Sequence, residues 1–216
     1  MNKTDLKLYA ITDRQWLHGA RLSEHVKLAI EGGATMIQIR DKDILSTDSD
    51  AGLKDEYNEA LEIKRICHEH KVPLIINDNV QFAIDIDADG VHLGQDDMNP
   101  AEARKLLGTD KIIGVTAKTV EQAKRAEADG ADYLGSGAVF GSTTKLNAKP
   151  MTKELLSEIT AAVDIPVVAI GGINADNAST LKGTGIAGIA VVGAIFASED
   201  IKAAAKALAE ICDNML

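Results

Sequence analysis

A short apolar run of strand type recurs eight times along this chain of 216 residues, and a segment with helical periodicity follows each run. Regular alternation of strand and helix is typical of α/β proteins built on a parallel sheet. Eight such units without a break in composition predict one domain, a single (β/α)8 TIM barrel over residues 1–216. An open doubly wound sheet is disfavoured because residues 13–16, after the first run, contain no glycine-rich turn. The predicted strands are residues 8–12, 35–39, 74–77, 90–93, 111–115, 133–139, 166–170 and 189–192.

Several helix boundaries are also marked in the sequence. Asn99-Pro100-x-Glu102 combines an N-cap, a proline at the first helical position and an acidic capping-box partner. Thr119-x-x-Gln122 repeats the capping-box pattern. Glycines at four joints between a helical segment and the next strand predict left-handed helix ends. These joints are Gly33-Ala34, Asp89-Gly90, Gly130-Ala131 and Gly188-Ile189.

Charge and composition restrict the partners. A formal net charge of −10 and an aromatic content of 3% argue against nucleic acid, which needs basic surfaces and stacking rings. No run approaches the roughly 20 apolar residues of a membrane span, and the N-terminus lacks the apolar core of a signal peptide. We predict that Cys67 and Cys212, far apart on helical segments, are buried and reduced in a cytoplasmic protein with no membrane partner. Homo-oligomerisation is left open.

Two acidic strand exits point to a divalent metal. Residues 73–79 predict a short buried strand that stops abruptly on Asn77 and Asp78, and the next predicted strand leads into Asp96 and Asp97. Ligands gather at the carboxyl ends of parallel strands, and neighbouring strands bring these carboxylates within reach of one ion. Oxygen ligands without a nearby cysteine favour Mg²⁺.

Each of these residues also has a simpler interpretation. Asp96 or Asp97 could cap the helix that starts near Asn99, and for Asp96 we prefer that interpretation. His92 lies inside the strand and is interpreted as a core histidine in preference to a ligand.

The second predicted strand ends in a cationic cluster. Gln38, Arg40 and Lys42 alternate along an extended segment and so share one side of it. The alternative for Arg40 is an ion pair inside the barrel. Long connections at residues 41–54 and 141–151 follow strands, and we interpret them as candidate lids, with passive surface loops as the alternative.

The later strand exits favour phosphate. The fifth predicted strand is followed by the hydroxyl of Thr116, and the sixth leads into three hydroxyls and an ammonium at residues 142–145. Glycines at the exits of strands seven and eight, Gly172 and Gly193, suit a phosphate site with backbone N–H donors. Close helix packing is the alternative for these glycines. Mg²⁺ with Arg40, Lys42 and Lys145 suits a diphosphate, and the backbone site suits a phosphate handle.

Together these motifs resemble the thiamine-phosphate synthase family. The resemblance runs from Tyr9-Ala-Ile-Thr-Asp13 to Val191-Val-Gly-Ala-Ile195. Its most specific parts are Gln38-x-Arg40-x-Lys42, Ile76-Asn-Asp78, the run from Asp89 to Gln95 and the loop that ends at Lys145.

The resemblance implies a catalytic domain that joins 4-amino-2-methyl-5-(diphosphooxymethyl)pyrimidine to a thiazole phosphate. Thiamine phosphate forms and pyrophosphate leaves by a dissociative displacement, in which the carbon–oxygen bond breaks before the thiazole nitrogen attacks. The implied cofactor is Mg²⁺, held by Asp78 and Asp97. The implied catalytic residues are Arg40, Lys42, Thr116 and Lys145. The implied ligands of the pyrimidine diphosphate are Gln38, Arg40, Lys42, Asn77, Thr116 and Lys145. The implied thiazole-phosphate ligands are Ser142, Thr143, Thr144, Gly172, Val192 and Gly193.

Three positions depart from the family pattern. Thr116 replaces a serine and keeps the hydroxyl, and residues 138–142 replace Pro-x-x-Pro-Thr. Gly193 replaces a serine and has no hydroxyl to donate. Two alternatives stay open: a thiazole tautomerase, which needs neither metal nor diphosphate cations, and a catalytically silent phosphate-binding barrel. The retained cations and carboxylates favour the synthase.

Overall fold

Eight parallel strands close into a barrel in which the first strand pairs with both the second and the eighth, which confirms the predicted fold. The computed structural model describes residues 1–40, 50–141 and 150–216. Every predicted strand is confirmed to within two residues at its ends. The strands are β1 Leu8–Ile11, β2 Met36–Ile39, β3 Leu74–Asn77, β4 Gly90–Leu93, β5 Ile112–Thr116, β6 Tyr133–Gly137, β7 Val167–Ile170 and β8 Gly188–Val191.

Among the described residues an α-helix follows every strand except β7, whose connection to β8 departs from the predicted alternation. Short 3-10 turns stand at Lys3–Leu6, Arg14–Trp16 and Ala178–Leu181. Between β7 and β8 the described chain has the last of these turns in place of an α-helix, because residues 174–185 are rich in Asn, Ser, Thr and Gly, which favour turns. After β1, the turn Arg14–Trp16 precedes the first helix. The described helices are α1 Leu22–Glu31, α2 Asp50–Glu69, α3 Val80–Asp85, α4 Pro100–Leu107, α5 Val120–Ala128, α6 Lys153–Ala161, α7 Gly193–Phe196 and α8 Ile201–Met215.

Strand alternation divides the buried side chains between two cores. Outward residues such as Leu74, Val91 and Leu134 pack against the helices in the larger core. Inward residues fill the barrel in a smaller core that includes Tyr9 and Tyr133. The side chains of Gln38, His92 and Thr116 also lie at inward-facing positions of their strands. They therefore point into the barrel and toward its mouth at the carboxyl ends of the strands.

The cap predictions are confirmed in part. The side chain of Asn99 accepts from the N–H of Ala101 at 2.9 Å, and Thr119 accepts from the N–H of Gln122 at 3.2 Å. The Gln122 side chain returns to the N–H of Lys118, one residue earlier than a capping box requires.

The four predicted glycine joints have two different physical causes. Gly33 and Gly130 have φ of 109° and 90°, as predicted for left-handed helix ends. The prediction is wrong for Gly90 and Gly188, which lie in strands. A Cβ atom there would collide with the carbonyl oxygens of Ile112 and Leu6, so these glycines allow close backbone approach.

Arg104 ties together the face of the barrel opposite the strand exits. Its guanidinium donates to the carbonyl oxygens of Gly108, Lys111 and Gly130, and to the carboxylate of Asp132 at 2.6 Å. One side chain therefore satisfies the ends of α4 and α5 and the start of β5.

Replacement of Arg104 by alanine should lower the free energy of unfolding by about 2 kcal/mol, because several half-buried carbonyls and a carboxylate lose their donor together. Urea unfolding monitored by circular dichroism would measure this loss. Arg65→Ala is the matched control, since Arg65 pairs with Glu69 on the exposed side of α2, and its loss should cost less than about 0.5 kcal/mol. Equal losses in the two variants would contradict the assigned role.

Cys67 and Cys212 are both buried and unpaired with each other, as predicted, and burial raises the pKa of each thiol to about 12. Within the residues that the structure describes, no helix is both long enough and apolar enough to cross a membrane.

Candidate active site

The exit of β3 holds Asp78 in an unusual backbone conformation. Its φ is 60°, which non-glycine residues rarely adopt, and the N–H of Asn79 donates to the oxygen of Asn77 at 2.6 Å across it. The Asp78 N–H is also held by the oxygen of His92 on β4, at 2.8 Å. Strain of this kind concentrates at functional sites, and here it aims a carboxylate at the barrel mouth.

Asp97, after β4, faces the same point. Its Oδ2 accepts from the N–H of Gly94 at 2.6 Å, while the Asn77 amide donates to Oδ2 of Asp78 at 2.6 Å. Burial, together with a hydrogen bond to Asp97 and the negative charge of Asp97, raises the pKa of Asp78 to about 6. Two carboxyl groups in contact repel one another when both are ionised, so the pair favours either a shared proton or a cation.

The pH dependence of stability should report this pair in the metal-free protein. The pKa of Asp78 rises from 3.8 to about 6 on folding, so the native state holds a proton that the unfolded chain releases. The contribution of this proton to the free energy of unfolding is complete below about pH 4 and should be lost as the pH rises to about 6. Urea unfolding between pH 4 and 7 should show this loss in the wild type relative to Asp78→Asn. Parallel pH profiles of the two proteins would contradict it.

Arg40, just after β2, contributes the positive charge of the described site. Its N–H donates to the buried hydroxyl of Thr12 at 3.1 Å, which fixes the backbone at this exit. Its guanidinium charge lowers the pKa of Asp78, although by less than burial and Asp97 raise it. Among the described residues no ion pair holds Arg40, so the alternative of a barrel-core ion pair has no support there.

Beneath these exits a series of hydrogen bonds crosses the barrel, and we call it the inner hydrogen-bond chain. Gln38 Nε2 donates to Tyr9 OH at 2.5 Å, and the hydroxyls of Tyr9 and Tyr133 lie 2.9 Å apart. The Tyr133 hydroxyl is 3.0 Å from His92 Nδ1, and His92 Nε2 is 3.0 Å from the hydroxyl oxygen of Thr116.

The interpretation of His92 as a satisfied core histidine is therefore confirmed, and burial lowers its pKa to about 4. Sequence reasoning missed Tyr9 and Tyr133 as polar neighbours of the site. Two sequence features could have indicated them. The alternation of β1 and β6 points both tyrosines into the barrel, and Gly114 lies where a side chain would collide with the Tyr133 ring.

The exits of β7 and β8 present backbone in place of side chains. Gly172 has φ of 68°, and a Cβ there would lie 2.8 Å from the oxygen of Phe140. Gly193 stands at the first position of α7, where a Cβ would meet the nearest atom, Ala197 Cβ, at 3.8 Å. No described residue accepts a hydrogen bond from the N–H groups of Gly172, Gly193 or Ala194. These donors are available to an anion.

Several residues predicted to belong to the site lie outside the described residues, and one predicted helix cap is wrong. Lys42, Ser142, Thr143, Thr144 and Lys145 lie outside the described residues, as do most positions of the two candidate lids. Asp96 is exposed, and the prediction that it caps α4 is wrong because Asn99 fills that position. The structure brings together Gln38, Arg40, Asn77, Asp78, Asp97 and Thr116 at the exits of β2 to β5, and Gly172, Val192 and Gly193 at those of β7 and β8.

The chain is similar to known proteins over nearly its whole length. The family profile described as thiamine monophosphate synthase matches residues 8–195. The chain is 48% identical over 213 residues to the thiamine-phosphate synthase of Ruminiclostridium cellulolyticum, which covers 99% of this chain and 98% of that protein. The solved thiamine phosphate pyrophosphorylase from Pyrococcus furiosus has a TM-score of 0.87 and 38% identity, covering 99% of this chain and 98% of its own. A 3-hexulose-6-phosphate synthase structure, with a TM-score of 0.66 and 17% identity over 95% of this chain and 99% of its own, shares the fold alone.

Proposed function

We propose that this chain, which belongs to the thiamine-phosphate synthase family of transferases, joins a pyrimidine diphosphate to a thiazole phosphate with loss of pyrophosphate. The pyrimidine substrate is 4-amino-2-methyl-5-(diphosphooxymethyl)pyrimidine. The observation that carries the proposal is the convergence of Asp78, Asp97 and Arg40 at neighbouring strand exits. Carboxylates that can hold a cation suit a diphosphate, which carries several negative charges, when they lie beside a guanidinium that forms no ion pair with a described residue.

The donor set fits Mg²⁺. No group of three or more acidic, histidine or cysteine side chains that could hold a metal occurs among the described residues. Mg²⁺ commonly uses one or two carboxylates and completes its shell with water and substrate phosphates, so Asp78 and Asp97 are sufficient. When bound, the ion would neutralise charge on the departing pyrophosphate.

The protein side chains have the remaining tasks. Arg40, with Lys42 and Lys145, would bind the diphosphate oxygens and favour departure of the leaving group, as a dissociative displacement requires. Asn77 donates to Asp78 and would also reach the diphosphate, and Gln38 would contact the pyrimidine substrate. No protein nucleophile is needed, because the thiazole nitrogen forms the new bond.

The thiazole phosphate would bind at the exits of β7 and β8. The N–H groups of Gly172 and Gly193 supply donors that no described residue uses, and Val192 lies between β8 and α7. Ser142, Thr143 and Thr144 would add hydroxyl donors. This division would give the two substrates separate groups of strand exits, β2 to β5 for the diphosphate and β7 and β8 for the thiazole phosphate.

Gly193→Ser should strengthen thiazole-phosphate binding. The position has an ordinary negative φ and free space, so a hydroxyl can be added without strain, and one further hydrogen bond to phosphate should lower KM about 3- to 10-fold. Steady-state kinetics with varied thiazole phosphate would measure the change. Gly193→Ala is the matched control, because it fills the same space without a hydroxyl. An equal KM for the two variants would contradict the assigned contact.

The direct test of the function supplies both substrates with Mg²⁺ and measures thiamine phosphate and pyrophosphate. We expect both products in equal amounts, and no product at any Mg²⁺ concentration would refute the proposal. A thiazole tautomerase is the second candidate. It would need neither the metal nor the diphosphate cations, and the retained Asp78, Asp97 and Arg40 argue against it.

A further inference from the structure

The inner hydrogen-bond chain ends at two residues of the proposed site for the pyrimidine diphosphate, Gln38 and Thr116, and three side chains lie between them. Gln38, Tyr9 and Tyr133 have 2%, 1% and 0% of their surface exposed. His92 and Thr116 are partly buried nearer the mouth. Water therefore has little access to the inner members, and each must satisfy its polar atoms within the chain.

The hydrogens of this chain have one consistent direction. Gln38 donates its amide hydrogen to the oxygen of Tyr9, so the single hydroxyl hydrogen of Tyr9 is directed to Tyr133. Tyr133 thus accepts from Tyr9, and its own hydrogen is directed to Nδ1 of His92.

The direction continues through the imidazole ring. Because Nδ1 of His92 accepts, the hydrogen of the neutral ring lies on Nε2 and is donated to the oxygen of Thr116. The hydroxyl hydrogen of Thr116 is then left over, and no described residue accepts it. The Thr116 side chain points inward near the carboxyl end of β5, so this hydrogen faces the candidate site.

We propose that Tyr9, Tyr133 and His92 are positioning residues that fix the Thr116 hydroxyl as a hydrogen-bond donor toward the diphosphate. The identity of that ligand rests on the proposed function. A phosphate oxygen can only accept, and a freely rotating hydroxyl would also present its lone pairs to the anion. The chain removes that unfavourable orientation before the substrate binds, which is a form of preorganisation.

The barrel is shaped to hold this chain. A Cβ atom at Gly114 would collide with the ring and hydroxyl of Tyr133, and one at Gly135 would lie 3.1 Å from Cε1 of His92. The two rings also pack against each other, with centroids 5.5 Å apart. Glycines on β5 and β6 thus leave the space that the aromatic members occupy.

The first test reads the direction of the hydrogens without any substrate. The chain has five histidines, and ¹⁵N labelling allows the His92 signals to be assigned by their absence in His92→Gln. We expect an N–H signal at Nε2 and an unprotonated nitrogen at Nδ1. In Tyr133→Phe the bias should weaken, since Nδ1 loses its donor. An Nδ1–H tautomer in the wild type would overturn the inference.

The second test is a double-mutant cycle on pyrophosphate binding, measured by calorimetry with Mg²⁺. Tyr133→Phe and Thr116→Val should each weaken binding about 3- to 10-fold, the effect of one hydrogen bond. If Tyr133 acts through Thr116, the double variant should bind no more weakly than Thr116→Val. Tyr57→Phe is the matched control, because it removes a hydroxyl that donates to the oxygen of Asp85 on the outer face, and binding should not change.

The outcomes separate the inference from the proposed function. If Tyr133→Phe weakens pyrophosphate binding as much in the Thr116→Val background as in the wild type, the role of Tyr133 is merely structural. That result would overturn the inference and leave the proposed function standing. Product formation with an Nδ1–H tautomer has the same meaning. An Nε2–H tautomer without pyrophosphate binding would instead refute the diphosphate site and the proposed function with it.

Discussion

Replacement of Asp78 by asparagine should lower Mg²⁺-dependent formation of thiamine phosphate by at least about 100-fold, because the proposed metal ligand loses its charge. Asparagine is the informative substitution at this position. It tolerates the left-handed φ of 60°, so the turn between Asn77 and Asn79 can keep its shape. A fall in rate then reports the carboxylate and not the backbone.

The measurement is the steady-state rate over a wide range of Mg²⁺ concentrations, with thermal unfolding as a check on the fold. Asp96→Asn is the matched control, since Asp96 is an exposed aspartate one residue before Asp97, and its rate should stay near that of the wild type. A near-normal rate for Asp78→Asn at low Mg²⁺ would show that the Asp78 carboxylate is structural.

Replacement of Arg40 by glutamine should lower kcat by about 10²- to 10³-fold, the usual effect of removing a group that stabilises charge developing in the transition state. The KM for thiazole phosphate should change little, because Gly172 and Gly193 follow β7 and β8, neither of which pairs with β2. Single-turnover release of pyrophosphate would measure bond cleavage directly.

Arg65→Gln provides the control for Arg40, because it removes the same charge from an exposed pair on α2. An effect confined to the KM for thiazole phosphate would contradict the assignment of Arg40 to the diphosphate. A loss of the same size in both variants would indicate a general electrostatic effect of the net charge.

The fold was predictable because its signals are local. Apolar runs of four to seven residues, separated by helical segments, predict the strands to within two residues, and closure follows from their number. The segment between β7 and β8 departs from this pattern since its polar composition favours turns over helix. Gly90 and Gly188 were misread because a close contact with a distant carbonyl leaves no mark in the neighbouring sequence.

The site was predictable where it depends on strand exits and not where it depends on contacts across the barrel. Asp78 and Asp97 follow adjacent strands, so topology alone brings them together. Tyr9 lies on β1 and Tyr133 on β6, and their hydroxyls meet through the interior, without strand pairing. Predicting that contact requires both the strand alternation and the size of the ring that fits opposite Gly114. The left-handed backbone of Asp78 likewise depends on tertiary contacts with β4.

The fit between Gly114 and Tyr133 has a consequence for how such a barrel can be redesigned. The ring of Tyr133 on β6 occupies the space that a side chain at Gly114 on β5 would fill. A methyl group added at Gly114 alone would displace the ring, and a smaller residue at position 133 alone would leave a void beneath the site. The loops at the barrel mouth can therefore be changed one residue at a time to alter the substrate range. Beneath the site, Gly114 and Tyr133 can be changed only as a pair.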